Sequence, residues 1–279
     1  MKVLQALNYA EKILSEIEDK EYAKWEALLI LSHFLNIPPL QVYLYLEENI
    51  PEEEFFKILK ERKTRKPLPY IFGYSYFWGR KFYVDEGTLI PRQDTELLIS
   101  IFSELPSKKE LVLELGVGVG NIAITLLLEN KDLKVFGIDI SDKALNTTKK
   151  NAKEYKVEDR LFLIKGDSFF PIKKLPLFDI VISNPPYISL KEWETLEEDV
   201  RLFEPKEALV SGEKGTEFQE ILLEKSHQYI KKGGFLIFEM GYNQGERIRD
   251  LLKTYQWDFR IYKDLKGYER AVLAWKENI

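Results

Sequence analysis

A chain of 279 residues, 45% apolar and 31% charged, can bury a sizeable core and is too apolar to be disordered in bulk. With no cysteine it has no disulfide framework, thiolate zinc site or cysteine nucleophile. With only His33 and His227, both read as structural, a two-histidine metal centre or a serine–histidine hydrolase is disfavoured, and no metal is expected. The net charge of −5 is uneven: residues 1–56 carry 11 acidic and 4 basic side chains, so the front end argues against nucleic acid as a partner.

The first twenty residues interleave charge with apolar positions and lack a signal peptide's unbroken apolar stretch. The longest apolar run, 27–31, is far short of the ~20 residues that span a bilayer. A soluble, cytoplasmic protein without a membrane partner is expected. Val3, Leu4, Leu7, Ala10, Ile13, Leu14 and Ile17 recur at helical steps, and Trp25, Leu28, Leu29, Leu31 and Leu35 give a second helix face. Pro38-Pro39 opens a short third helix. Asn49-Ile50-Pro51, followed by three glutamates, opens a fourth, and the basic residues between Lys57 and Lys66 read as its charged end. Leu68-Pro69 is expected to break the pattern. An extended stretch over 77–84, a turn at Asp85-Glu86-Gly87 and a return at 88–90 predict a hairpin. The division is therefore a helical domain over 1–70, a hairpin linker over 71–93 and an α/β domain over 94–279.

In the last domain apolar strands at 111–115, 134–139, 161–165, 178–183, 234–240, 257–263 and 270–275 alternate with helical segments at 94–104, 120–130, 142–156, 216–231 and 244–255. That alternation predicts a mostly parallel, seven-stranded Rossmann-like sheet covered on both faces. The six residues between the last two strands are too few for a crossover, so those two should pair antiparallel.

In such sheets ligands bind beyond the carboxyl ends of the strands. The first strand runs into Gly116-Val117-Gly118-Val119-Gly120, the second ends at Asp139, the third leads to Asp167-Ser168-Phe169, and the fourth to Asn184-Pro185-Pro186-Tyr187. Glycines let a ligand approach the backbone, and Asp139 stands where a carboxylate accepts from a ribose diol. The dinucleotide fingerprint is not met, because Asn121 stands where it needs glycine. The pattern suits a nucleoside without a pyrophosphate, such as S-adenosylmethionine, although glycines in a tight strand–helix turn and a carboxylate at a helix start have purely structural uses too. Asp167 is placed to accept from an adenine amino group, with Phe169 against the ring. The Asn184 side-chain oxygen and the Pro185 carbonyl offer two acceptors to a planar NH2 group, and Tyr187 could cover its flat face. Such a site suits methyl transfer to an amide or exocyclic amine.

These motifs carry a family resemblance. Residues 67–73, 88–96, 114–120, 184–187 and 204–209, Glu239-Met240-Gly241 with Gln244, and 263–267 occur in family order, and the chain resembles the HemK/PrmC family of N5-glutamine methyltransferases that modify class-one peptide release factors. The resemblance implies a helical substrate-docking domain before a methyltransferase domain. It implies that Gly116 to Gly120, Asp139, Asp167 and Ser168 with Phe169 hold S-adenosylmethionine, yielding S-adenosylhomocysteine. Asn184, Pro185 and Tyr187 would be catalytic, with Pro186 completing the glutamine pocket and Asn184 touching cofactor as well. The substrate glutamine would be that of the Gly-Gly-Gln motif. A glutamine in a ribosomal protein, or a base amine in nucleic acid, is the alternative. Three segments depart from the family pattern: Gln93-Asp94 replaces Pro-Glu, Ser168 replaces an aromatic so that Phe169 stands in, and Glu269 replaces Asp. Arg92 and Glu96 either brace the cofactor loop or pair with each other at a helix start.

Overall fold

The computed structural model describes residues 1–106 and 109–276 and divides into two compact units, Met1–Gly73 with Glu197–Phe203, and Tyr74–Leu196 with Glu204–Ile279.

The first unit is helical. Val3–Leu14 buries Val3, Ala6, Leu7, Ala10 and Leu14, one stripe at three- and four-residue steps. Lys20–Leu35 starts where the Asp19 carboxylate accepts from the amides of Glu21 and Tyr22, both at 3.0 Å. This helix buries Ala23, Ala27, Leu28, Ile30 and Leu31, so its inner face keeps Leu28 and Leu31 of the expected one but turns away from Trp25, which is exposed. The Pro38-Pro39 segment forms a 3-10 turn, Pro39–Leu44, rather than an α-helix. Leu68-Pro69 starts a helix instead of breaking one. Pro69 falls in the first turn of Leu68–Phe72, where no amide is needed, and Gly73 ends it with φ +75°.

The basic run contains one residue that is no surface charge. Arg62, in the last turn of Glu52–Arg62, is 1% exposed. Its Nε donates to both Glu26 oxygens at 2.9 Å, and Nη2 lies 2.5 Å from Glu18 and 2.8 Å from Asp199. Burial opposes the guanidinium charge, but Glu26, Asp199 and Glu18 outweigh it and hold its pKa above the ordinary value. Removing the cation takes the ion-pair partner from the buried Glu26 and leaves Glu18 and Asp199, among the described residues, to Arg65 alone, at 3.3 and 3.6 Å. Arg62→Met should cost about 3–5 kcal/mol in urea denaturation, whereas a loss below about 1 kcal/mol would mark it as an ordinary surface pair.

The second unit opens with a hairpin of β1 (Tyr74–Phe77) and β2 (Arg80–Tyr83). Its turn is Trp78-Gly79, with φ +51° and +68°, the left-handed pair that suits strand twist. The expected turn at 85–87 is present, closed by the Thr88 amide and hydroxyl donating to the Asp85 carbonyl at 2.9 and 2.7 Å, but it is not the hairpin turn, because 88–90 does not return as a strand.

The main sheet uses β3 (Leu111–Leu115), β4 (Lys134–Asp139), β5 (Leu161–Lys165), β6 (Phe178–Ser183), β9 (Ile230–Glu239), β10 (Asp258–Lys263) and β11 (Glu269–Trp275), with the short parallel pair β7 (Ile188–Ser189) and β8 (Val210–Gly212) apart from it. Among the described residues the order is β10-β11-β9-β6-β3-β4-β5, antiparallel at β10/β11/β9 and parallel elsewhere. Neighbours along β3 face opposite ways. Val112 joins a core with Leu98, Ile122 and Leu145 from three helices, while Leu113 joins one with Leu222, Ile248 and Leu252 from two others. A strand covered on both sides is expected to be apolar, and this one is so at every position but Glu114. The helix expected over 216–231 ends at Lys225. Residues 226–228 tighten into a 3-10 turn, and Ile230 already pairs with Phe178, because Leu177 and Phe178 both donate to the Tyr229 carbonyl at 2.9 Å.

Candidate active site

Because β3, β4, β5 and β6 run parallel, their carboxyl ends meet at one edge. The glycine loop after β3 is pinned from below: the Thr148 hydroxyl donates to the Gly118 carbonyl and Asn151 Nδ2 to the Val119 carbonyl, both at 2.8 Å. Gly116, Gly118 and Gly120 all have positive φ. Asp139, ending β4, reaches across: its Oδ2 accepts from the Gly118 amide and its Oδ1 from the Ser141 amide, each at 2.9 Å. Burial raises the Asp139 pKa, against the pull of the Ser141, Gly118 and Ile140 amides. One bond to each oxygen leaves lone pairs on both for a ligand.

This edge opens into a cavity of ≈ 290 Å³ lined by Gly116, Gly118, Asp139, Asp167, Ser168, Asn184, Pro185 and Pro186, and also by Glu207, Ser211, Glu217 and Phe218. Four of its lining side chains are carboxylates, and none of the described residues lining it is basic. A pyrophosphate would find no cation here, whereas a positively charged nucleoside meets complementary charge. The buried Ser168 hydroxyl, which lines the cavity, has no hydrogen-bond partner. A second cavity of ≈ 30 Å³, also lined by Asn184, contains Thr95, Asn121 and Glu114. Glu114 is fully buried, and neither of its oxygens has a well-formed hydrogen bond. Burial holds it well above the usual carboxylate range, with the Ala123 amide pulling the other way and the Asp139 charge adding to the rise. Orphaned polar atoms and an excess of carboxylates fit S-adenosylmethionine, which carries two cationic centres and a ribose.

Of the expected residues, Gly116, Gly118, Asp139, Asp167, Ser168, Asn184, Pro185 and Pro186 line this cavity, Val117 and Val119 line only the smaller one, and Gly120, Phe169 and Tyr187 line neither. Phe169 does not face the cavity: it is 2% exposed and stacks on Tyr229 in the core, centroids 4.5 Å apart. Ser168 takes φ +51°, which turns the next ring inward, so the expected contact between Phe169 and an adenine is not met. Tyr187 does not line the cavity either. Its hydroxyl donates to the buried Glu239 at 3.0 Å, and burial first, then the Glu239 charge, drives its pKa strongly up. Asn184 is placed by Ser183, whose hydroxyl donates to the Leu115 carbonyl at 2.7 Å and ties β6 to β3. The Asn184 Nδ2 donates to the Thr95 hydroxyl at 2.9 Å, so the side chain has its Oδ1 to offer a ligand. Arg92 and Glu96 do not pair. Arg92 lies 2.5 Å from the buried Glu204, which also accepts from the Ile90 amide at 3.2 Å, and Glu96 accepts from the Trp78 amide at 2.6 Å.

A family model for the methyltransferase small domain matches residues 92–214, and one for the PrmC N-terminal domain matches residues 5–73. The release factor glutamine methyltransferase of Aquifex aeolicus is 40% identical over 95% of this chain and 94% of its own length. That of Bacillus cereus is 34% identical over 98% and 99%. The chain belongs to the release factor glutamine methyltransferase family. A methyltransferase structure from Pyrococcus furiosus, 17% identical, superposes with a TM-score of 0.55 over 79% of this chain and all of that one, and shows the shared fold.

In this family member, sequence reasoning missed Thr95, Glu204 and Glu239 as parts of the site. Each lay inside a stretch already singled out, but nothing in one dimension showed that their side chains converge. The loop itself gives a sharp test. A Cβ at Gly120 would meet Thr148 Cγ2 at 2.8 Å and Ile124 Cδ1 at 2.9 Å, at φ +83°. Gly120→Ala should therefore cost about 2 kcal/mol or more in urea denaturation, and a change under about 0.5 kcal/mol would show that the loop can relax.

Proposed function

We propose that this chain transfers a methyl group from S-adenosylmethionine to the side-chain amide nitrogen of the glutamine in the Gly-Gly-Gln motif of class-one peptide release factors, in the cytoplasm. The relatives' names support the substrate, and the acidic cavity supports the cofactor. The observation that carries the chemistry is the commitment of Asn184 Nδ2 to Thr95, which leaves an oxygen as the group this side chain presents.

Gly116, Gly118, Asp139, Asp167 and Ser168 would hold the cofactor, with the ribose hydroxyls on Asp139. When bound it supplies an electrophilic methyl on a sulfonium sulfur; the bond made is nitrogen–methyl, the bond broken is sulfur–methyl, and one amide proton is released to solvent. The amide nitrogen is a poor nucleophile because its lone pair is delocalised. Asn184 Oδ1 and the Pro185 carbonyl would each accept a hydrogen bond from one of its N–H groups, fix the nitrogen in place and raise its electron density as the bond forms. The prolines at 185 and 186 contribute by removing two backbone donors from a place that needs acceptors. No helix among the described residues is long and apolar enough to cross a membrane. The helical unit, matched by the PrmC N-terminal model, is assigned the docking of the protein substrate.

The two halves of this reading separate by mutation. Asn184→Ala should lower kcat by about 100-fold or more while the Kd for S-adenosylmethionine, by calorimetry, changes by less than about threefold. Asp139→Ala should instead weaken that Kd by about tenfold or more, the loss of hydrogen bonds to a carboxylate. Wild-type turnover in the first variant, or an unchanged Kd in the second, would remove that residue from its role.

A further inference from the structure

Glu239-Met240-Gly241 with Gln244 is a motif that the chemistry above does not use. Glu239 ends β9 and is completely buried. Its Oε2 accepts from the Thr95 hydroxyl at 2.7 Å and its Oε1 from the Tyr187 hydroxyl at 3.0 Å. Thr95 has one hydrogen, and Glu239 takes it, so toward Asn184 its oxygen can only accept, as it does from Nδ2 at 2.9 Å. The chain thus has a direction: amide N–H to hydroxyl, hydroxyl to carboxylate. Reversing it would have the Thr95 hydroxyl donate to Asn184 Oδ1 and would turn the amide over. Gln244 holds the other end of the same loop, its Nε2 donating to the Tyr187 carbonyl at 2.8 Å and the Gly215 carbonyl at 2.9 Å, its Oε1 accepting from the Gly241 amide at 2.9 Å.

We propose that Glu239 is a positioning residue: as a carboxylate it orients the Thr95 hydroxyl, which fixes the Asn184 amide with its oxygen toward the substrate, while it holds the Tyr187 hydroxyl on the same loop. The inference rests on the reading of Asn184 as acceptor for the substrate amide. The groups acting on Glu239 come from several elements: Asp94 and Thr95 before the helix Glu96–Glu104, Tyr187 after β6, and Arg270 on β11, itself 3.4 Å from Asp94 and 3.3 Å from Asp264. Burial pushes the Glu239 carboxyl up to about 7, against Thr95, Tyr187 and Arg270, with Asp94 adding to the rise. Below that pH one oxygen carries a proton: on Oε2 it is donated to the Thr95 hydroxyl and breaks the direction of the chain, whereas on Oε1 it reverses only the contact to Tyr187. The charged form, in which both oxygens can only accept and the amide has one alignment, is lost as pH falls through 7.

The test is steady-state methylation of an unmethylated release factor by the wild-type chain and by Glu239→Gln, Thr95→Ser and Thr95→Val, with S-adenosylmethionine affinity measured by calorimetry. At pH 8, Glu239→Gln should lower kcat by about 10- to 100-fold, with cofactor Kd and release-factor KM within about threefold. The wild-type acid limb near pH 7 should be absent from its profile. Thr95→Ser, which keeps the hydroxyl, should restore most of the activity that Thr95→Val loses. Wild-type kcat and an unchanged pH profile in Glu239→Gln would overturn the proposal, as would Thr95→Ser and Thr95→Val being equally impaired. These threonine variants also decide the matter if Glu239→Gln does not fold. A wild-type chain that methylates no release factor would instead overturn the functional reading, and this inference with it.

Discussion

A carboxylate with no access to water governs the arrangement of this site. Glu239 joins partners 144 and 52 residues away, Thr95 and Tyr187, and reaches Asn184 through the first. Burying such a group is costly unless its oxygens are satisfied, and two hydroxyl donors satisfy them. The requirement works in both directions. The carboxylate needs those hydroxyls, and their commitment to it leaves the loop after β6 little freedom to adopt another hydrogen-bonding pattern. A surface pair could not do this, since water would replace either partner at little cost.

Charge organises the rest of the cavity. Asp139, Asp167, Glu207 and Glu217 face one volume with no basic lining residue among those described, an arrangement that repels itself when empty of cations. A ligand with a sulfonium and an ammonium relieves that repulsion, and a phosphate would worsen it. The same property weighs against substrates that bring phosphates with them, such as a base amine within a nucleic acid. It agrees with the acidic balance of residues 1–56.

Much of this was legible in the sequence. The strands over 111–115, 134–139, 161–165 and 178–183 are found where largely apolar runs lead into glycine, carboxylate or Asn-Pro-Pro, because a strand buried on both faces is mostly apolar, with Glu114 an exception here. The carboxyl-end rule then located the cavity without coordinates. What was not legible depends on backbone sign or on distant partners. Trp78 and Ser168 are non-glycine residues at positive φ, and no local pattern announces them. One moved the hairpin turn and the other turned Phe169 into the core. Arg62 reads as one more charge in a basic run, and it is buried because Glu26, Glu18 and Asp199 come to it from 36, 44 and 137 positions away.

The most direct measurement of the central claim is the destination of the methyl group. The purified chain would be incubated with methyl-labelled S-adenosylmethionine and, separately, with unmethylated release factor, ribosomal protein and RNA, and labelled peptides mapped by mass spectrometry. The account predicts label on the side-chain nitrogen of the Gly-Gly-Gln glutamine in the release factor and none in the RNA. Label confined to RNA or to a ribosomal protein, with the release factor untouched, would contradict it.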